Sequence, residues 1–341
     1  MAERIQAVLV GSETLLGREI RDIAATAAPD LQLRLIAADE EKPGTLTRQA
    51  DEAAVIEPLE ADSLSGAQIV FLAASAEASR KALELADQAD ADKRPILIDL
   101  SFAAEERPDA RLRAPALEEE DAEAPEEGSA VRVIAHPAAI AVALFLRRLH
   151  MHDPVRRSVI QIFAPASEHG VAGVEELQNQ TVSLLSFKSL PRAVFDTQLG
   201  FNLLARYGEE APVSLEESEL RIERHLATLL SLPGEGEGAP MPSLRLIQAP
   251  VFHGYSFSAW VQFESNPGLE AIESGLASGS IEVRGVEFEP PTNVGQAGQG
   301  GITVGAIAPD RNDPEACWFW LVADNLRVMA ENAVAAARES R

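Results

Sequence analysis

The sequence predicts an α/β protein, with a Rossmann-type parallel-sheet domain followed by a second, α+β domain. Three observations predict it. Strand-like apolar runs alternate with helical patterns over about the first hundred residues, which implies a parallel sheet with right-handed crossovers. A glycine turn, Gly11-Ser12-Glu13-Thr14-Leu15-Leu16-Gly17, joins the first strand to the first helix. The second half changes texture, with longer strands and a Gly-rich stretch. A chain of 341 residues also exceeds one ordinary core, so two domains are expected.

Residues 5–10 read as a strand ending at Gly11, and residues 17–27 as the helix behind it. Leu31, Leu33 and Leu35 alternate with period two and mark a strand ending at Ala38-Asp39. A strand over 69–73, a helix over 76–89 and a strand over 96–98 continue the alternation. Residues 105–129 are Pro-rich and acidic, including Glu118-Glu119-Glu120-Asp121, and are expected to be a solvated loop. Residues 131–135 return to strand. Residues 138–149 form a helix with few polar residues, expected to be well buried.

Beyond it come a strand over 158–163 and a long helix over 171–187. Ser214-Leu215-Glu216-Glu217 has capping-box spacing and opens a helix to about residue 230. Residues 233–242 read as a linker. Strands over 244–252 and 256–263 are expected to pair. A helix over 268–277, a strand over 281–288, a turn-dense stretch over 292–305, a strand over 318–322 and a helix over 325–339 complete the chain. The predicted division is 1–133, completed by the closing helix 325–341, and 134–324.

The net charge of −25 disfavours nucleic acid and anionic membrane as partners. No stretch reaches the roughly 18 apolar residues of a membrane span, and the N-terminus lacks a signal-peptide pattern, so a cytoplasmic location is expected. The single cysteine, Cys317, lies in an apolar run and reads as a buried core thiol. No metal site is expected from the spacing of His, Cys, Asp and Glu.

The turn has the right context for a dinucleotide site: Gly11 permits the tight turn and Gly17 close helix–strand packing. Thr14 stands where a glycine normally admits the phosphate, and Glu13 would oppose one. Both a surviving nucleotide site and a structural relic fit these residues. Asp39-Glu40 after the second strand would accept the 2′-hydroxyl of NAD and repel the 2′-phosphate of NADP, so NAD is favoured if a cofactor binds.

Four further segments carry a resemblance. They are Asp324-Asn325-Leu326-Arg327 with Ala330 and Asn332-Ala333-Val334; Ile134-Ala135-His136-Pro137; Ser167 with Gly170, Gly173 and Glu175-Glu176-Leu177; and Pro250-Val251-Phe252-His253-Gly254. In their order along the chain, over nearly its whole length, they resemble the aspartate-semialdehyde dehydrogenase family, and within it the divergent branch of USG protein homologues. The resemblance implies a homodimer whose second domain serves dimerisation and substrate binding. It also implies an NADP-dependent reductive dephosphorylation of aspartyl phosphate through a cysteine nucleophile. Cofactor contacts are implied at Gly11, Thr14, Leu15, Gly17, Asp39, Ser75, Ser167, Gly170 and Asn325.

The catalytic positions do not carry the family's side chains. The nucleophile position falls on Ala139, the glutamine on Ala164, the histidine on Tyr255, the substrate-carboxylate arginine on Gln248 and a lysine on Glu219; a phosphate-binding arginine falls near Glu105. Losing a nucleophile alone costs on the order of a millionfold in rate. His136, His169 and His253 lie on the family's site segments, either as a repurposed acid/base set with Tyr255 or as unrelated polar filling. Ser167 lacks a nucleophile elbow, so a serine hydrolase is not expected. Glu216 and Glu219 read as a solvated acidic face. The function expected is therefore a homologue that has lost the family reaction, serving as a scaffold, regulatory or ligand-binding dimer. An oxidoreductase with altered NAD-linked chemistry is the alternative, and a subunit for an active family member a third reading. A small acidic metabolite is the candidate ligand.

Overall fold

The computed structural model describes residues 4–39, 41–49, 52–90, 94–118, 130–232 and 238–339. The chain separates into two units, Met1–Ala135 with Met329–Arg341, and His136–Val328.

In the first unit the apolar runs become parallel strands. β1 (Ile5–Val10) leads through α1 (Leu15–Ala27) to β2 (Leu31–Ile36), and a hairpin of β3 (Leu46–Gln49) and β4 (Glu52–Val55) follows. β5 (Ile69–Leu72), α2 (Ala76–Asp87), β6 (Ile96–Asp99), β7 (Ala110–Arg113) and β8 (Val131–Ile134) complete the unit up to residue 135. The sheet order is β2-β1-β5-β6-β8-β7, with every ladder parallel. Val8, Leu9, Val10, Val70, Phe71 and Leu72 are fully buried, as a sheet covered on both faces requires. The closing helix α8 (Asn325–Arg338) re-enters this unit past residue 328: Asn332 Oδ1 accepts the Ala116 amide at 3.0 Å, and Glu339 pairs with Arg113 at 2.6 Å.

Two expectations change here. Part of the expected loop over 105–129 is strand β7, four residues that pair only at the sheet edge; residues 119–129 lie outside the described residues. The β3–β4 hairpin carries no sequence signal, because its strands are only four residues long and mostly exposed, with no apolar period.

The second unit opens with α3 (Pro137–His152), whose first ten residues are all buried. β9 (Val155–Ala164), α4 (Gly170–Leu185) and α5 (Leu215–Leu230) follow, then β10 (Ser243–Gln248) and β11 (Tyr255–Phe263). α6 (Leu269–Leu276), β12 (Ile281–Arg284), α7 (Asn293–Gln296), β13 (Ile302–Pro309) and β14 (Ala316–Ala323) lead to α8. The mixed sheet runs β10-β9-β11-β14-β13-β12. Alternate residues of β11, from Tyr255 to Phe263, are buried, and Phe145 of α3 meets Phe319 of β14 edge-on at 5.1 Å.

The two strands expected to pair do not. The ten-residue β9 lies between them, parallel to β10 and antiparallel to β11. The strand expected over 281–288 stops at Arg284, where a turn closes from the Phe288 amide to the Gly285 carbonyl. The Gly-rich stretch holds α7 and the start of β13, whose glycine-interrupted pattern hides its period. Of the expected linker over 233–242, residues 233–237 lie outside the described residues.

Gly17 is sterically required: a Cβ there would stand 2.0 Å from the Gly11 carbonyl oxygen. Gly17→Ala is expected to destabilise the protein by at least about 1–3 kcal/mol, read as a lower urea midpoint.

Candidate functional site

Sheet register gathers the family positions of the second unit. Gln248 pairs with Ala164 across β10 and β9. One step beyond the Ser256–Phe163 pair brings Tyr255 level with Ala164 from the other side. Tyr255 also pairs with Ala323 of β14. Just past that strand, Asn325 Oδ1 accepts the Ser167 hydroxyl and the Gly254 amide, each at 3.2 Å. His136 caps α3, and Ala139 lies in the helix's first turn. Ala139, Ala164, Gln248 and Tyr255 are all buried.

Glu168, which sequence reasoning passed over, organises this end. It sits in a short 3-10 turn between β9 and α4. Its Oε1 meets His136 Nε2 at 2.9 Å, and its Oε2 accepts the Tyr255 hydroxyl at 2.6 Å. Hydrogen bonding assigns the His136 tautomer. Nδ1 accepts the Ala138 amide at 3.2 Å, so the ring proton is at Nε2 and is donated to Glu168. The His136 amide in turn donates to Nδ1 of buried His225 at 2.9 Å. Burial alone would raise the Glu168 carboxyl, but the His136 ring and the Tyr255 hydroxyl reverse the sign and bring it to about 2. Burial, then the Glu168 charge, push the Tyr255 phenol well above its ordinary value. A phenol so held is a hydrogen-bond donor and a poor base.

His169 turns to a different partner. Gln248 Nε2 donates to the Ala164 and Ala249 carbonyls at 2.9 and 3.1 Å, so its Oε1 must accept. The Tyr207 hydroxyl supplies that proton at 2.7 Å and therefore accepts from His169 Nε2 at 2.8 Å. Burial lowers the His169 pKa, so the ring is neutral near pH 7. His253 does not join: its carbonyl accepts from Asn293 Nδ2 at 3.1 Å, and its ring makes no hydrogen bond among the described residues. Gly170 takes a left-handed φ of 62° where the 3-10 turn meets α4.

The expected acidic face on α5 is not wholly solvated. Glu216 is exposed, but Glu219 folds in to accept the Leu246 amide at 2.5 Å, with Arg245 at 3.5 Å. Both glutamates line a cavity of about 650 Å³ together with Arg206, Tyr207, Glu209 and Arg245. Two guanidiniums against three carboxylates do not favour a doubly anionic ligand there. Cys317 is buried and pairs with Val261, at the opposite end of the β11–β14 ladder from Tyr255. Six residues of strand place it about 20 Å away.

In the first unit, Gly11 adopts φ +85°, and a Cβ there would stand 2.9 Å from the Ala73 backbone. Thr14 caps α1: its hydroxyl accepts the Gly17 amide at 2.9 Å and reaches the Gly11 and Ala73 carbonyls at 2.9 and 2.8 Å. Leu15 begins the helix. Glu13 points to Arg18 and Arg21 rather than into the turn. Burial would raise its carboxyl, but the Thr47 hydroxyl and Arg21 hold it below the ordinary value. Asp39, at φ 53°, accepts the Ser75 amide at 2.9 Å and also the Ser75 hydroxyl. Glu40 lies outside the described residues. Glu41 accepts the Glu13 amide at 2.7 Å and the Ala38 amide at 3.2 Å, and the Thr14 amide faces the same carboxylate. Glu41 belongs to the acidic run visible in the sequence, but nothing in that run singles it out over Asp39.

The first unit is thus a parallel Rossmann-type sheet, and the second a mixed sheet with its own helices and a polar cluster at the end of β9. The model for the semialdehyde dehydrogenase dimerisation domain matches residues 146–328. A Pseudomonas aeruginosa protein named USG-1 protein homolog is 30% identical over 331 residues, covering 96% of this chain and 94% of its own. An aspartate-semialdehyde dehydrogenase of Rickettsia bellii is 26% identical over 349 residues, covering 99% and 98%. The solved structure of a probable aspartate-semialdehyde dehydrogenase from Pseudomonas aeruginosa is similar with a TM-score of 0.82 at 28% identity, covering 98% of each chain. The chain belongs to the semialdehyde dehydrogenase family. No helix among the described residues is long and apolar enough to cross a membrane.

The Glu168 pKa is depressed from 4.5 to about 2, so its stabilisation is present above pH 4.5 and is lost as pH falls toward 2. Glu168→Gln replaces one acceptor by an N–H donor facing His136 or Tyr255. The variant is expected to be less stable at pH 7 and to show a smaller fall in urea midpoint between pH 4.5 and 2 than the wild type.

Proposed function

We propose that this chain is a catalytically silent member of its family, serving as a homodimeric scaffold or regulatory subunit. The observation that carries the reading is Ala139, a methyl group in the first turn of α3 at the nucleophile's position. Acyl transfer needs a nucleophile with a base in hydrogen-bond reach. Here the neighbouring His136 has its Nε2–H committed to Glu168, and its Nδ1 lone pair is taken by the Ala138 amide. A doubly charged acyl phosphate also needs cations, and Gln248, Glu219 and Glu168 offer none. The missing sulfur and the missing positive charge are separate losses, and either one suffices.

Any residual dinucleotide preference is for NAD over NADP, since the Asp39 carboxylate accepts a hydroxyl and repels a phosphate. Dimerisation is supported by the side of the mixed sheet opposite α3. All three tryptophans stand there: Trp260 and Trp318 face each other across β11 and β14 and both donate to Asp310, and Trp320 lies against Phe163. Trp318 is 40% exposed, a large aromatic for a surface without a partner.

Purified protein is expected to show no phosphate-dependent oxidation of aspartate semialdehyde with NAD or NADP. Ala139→Cys is expected to restore none, because no base accompanies the new thiol. Turnover by the wild type within about a hundredfold of an active family member overturns the reading. Sedimentation is expected to give twice the 36.6 kDa chain mass, shifting toward monomer in Trp318→Asp; a wild-type monomer at micromolar concentration refutes the dimer.

A further inference from the structure

A doubly wound sheet offers its phosphate crevice where the strand order reverses. In the first unit that point lies between β1 and β5, and the Gly11–Gly17 turn stands beside it. The shape suits a pyrophosphate: Gly11 lets the turn pass against Ala73, and Gly17 lets α1 start against it. The donors do not suit one. A helix start holds a phosphate through backbone amides that have no partner of their own. Here the Glu13 amide donates to Glu41, the Thr14 amide faces the same carboxylate, and the Gly17 amide donates to the Thr14 hydroxyl. At the second helix start, the Ser75 amide and hydroxyl both go to Asp39. The carboxylates already holding these donors do not fit a dinucleotide diphosphate; the Leu15 and Leu16 amides make no hydrogen bond among the described residues.

We propose that Glu41 is a resident substitute for the phosphate, its carboxylate filling the anion cradle of the glycine turn and closing this unit to dinucleotides. Both of its oxygens are engaged, Oε1 by Glu13 and Oε2 by Ala38, so the group is fixed rather than merely nearby. Glu13 is the residue that would repel it, and Arg18, Arg21 and Thr47 draw that side chain outward and neutralise it. Glu41 lies 28 residues from Glu13 in sequence, so the contact forms only when the unit folds. A ligand would have to displace a carboxylate held at high local concentration, and would meet the Asp39 charge at the second helix start.

This deepens the catalytically silent reading and rests on it, yet the closure can fail while that reading stands. Amide hydrogen exchange on the wild-type protein is expected to show Glu13 protected by more than about tenfold over an open helix start. Titration calorimetry with NAD, NADP and inorganic pyrophosphate is expected to show no binding to the wild type up to about 1 mM. Glu41→Ala is expected to bind pyrophosphate and NAD at least about tenfold more tightly, with Glu41→Gln, which keeps one acceptor oxygen, in between. Wild-type binding as tight as that of Glu41→Ala overturns the closure, and so does an unprotected Glu13 amide. The exchange result decides alone if the alanine variant fails to fold. Tight dinucleotide binding by a wild type without aspartate-semialdehyde turnover would defeat the closure and leave the silent-enzyme reading standing, whereas turnover, which needs a bound dinucleotide, would defeat both.

Discussion

A carboxylate can be buried only where donors reach its oxygens, and the Glu168 arrangement shows how far that constraint extends through the second unit. One oxygen takes the Nε2 proton of His136, and the other takes the hydroxyl of Tyr255. These donors come from the cap of α3 and the start of β11, while Glu168 itself follows β9. The carboxylate thus cross-links three elements far apart in the chain. It also sets the state of its partners: His136 must carry its proton at Nε2, and Tyr255 must keep its proton. Groups that look like an acid/base set are fixed donors, each already used.

The same economy recurs elsewhere. Glu41 takes the amides at the start of α1, Asp39 those at the start of α2, and Glu219 the Leu246 amide at the edge of β10. Each is a place where an anionic ligand would look for donors, and each is occupied by the protein's own anion. The net charge of −25 is then more than a surface property, because part of it turns inward. Exposed carboxylates would only repel an anionic ligand over a distance screened by salt. Inward-facing ones compete for the same hydrogen bonds, which screening does not weaken.

Much of the architecture was legible in the sequence because it rests on local periodicity. The strand runs of the first unit and the unbroken apolar start of α3 depend on nothing beyond their own residues. What escaped depends on contacts distant in sequence. β9 separating β10 from β11 is a matter of tertiary pairing, since adjacent strands joined by a short loop read naturally as a hairpin. The β3–β4 hairpin is too short and exposed to announce itself. At the site, register could name Ala139, Ala164, Gln248 and Tyr255, because a resemblance transfers positions. It could not name Glu168, His225, Tyr207 or Glu41, because their roles come from which donors the fold aims at them. His253 stood on an expected segment, but its ring takes no part in the network.

The glycine turn makes the difference between position and role concrete. Gly11 and Gly17 are needed whether or not a phosphate ever binds: side chains there would strike the Ala73 backbone and the Gly11 carbonyl. The turn's signature therefore records how closely strand and helix must pass, and says little about ligand. Whether the turn serves a nucleotide is decided by the amides it leaves free, and those of Glu13 and Gly17 are already held by Glu41 and Thr14. Ala139 is the same case in the second unit. A small side chain suits the fully buried first turn of α3, so the helix packs there whatever chemistry the position serves. Packing and chemistry are thus separable demands on the same positions.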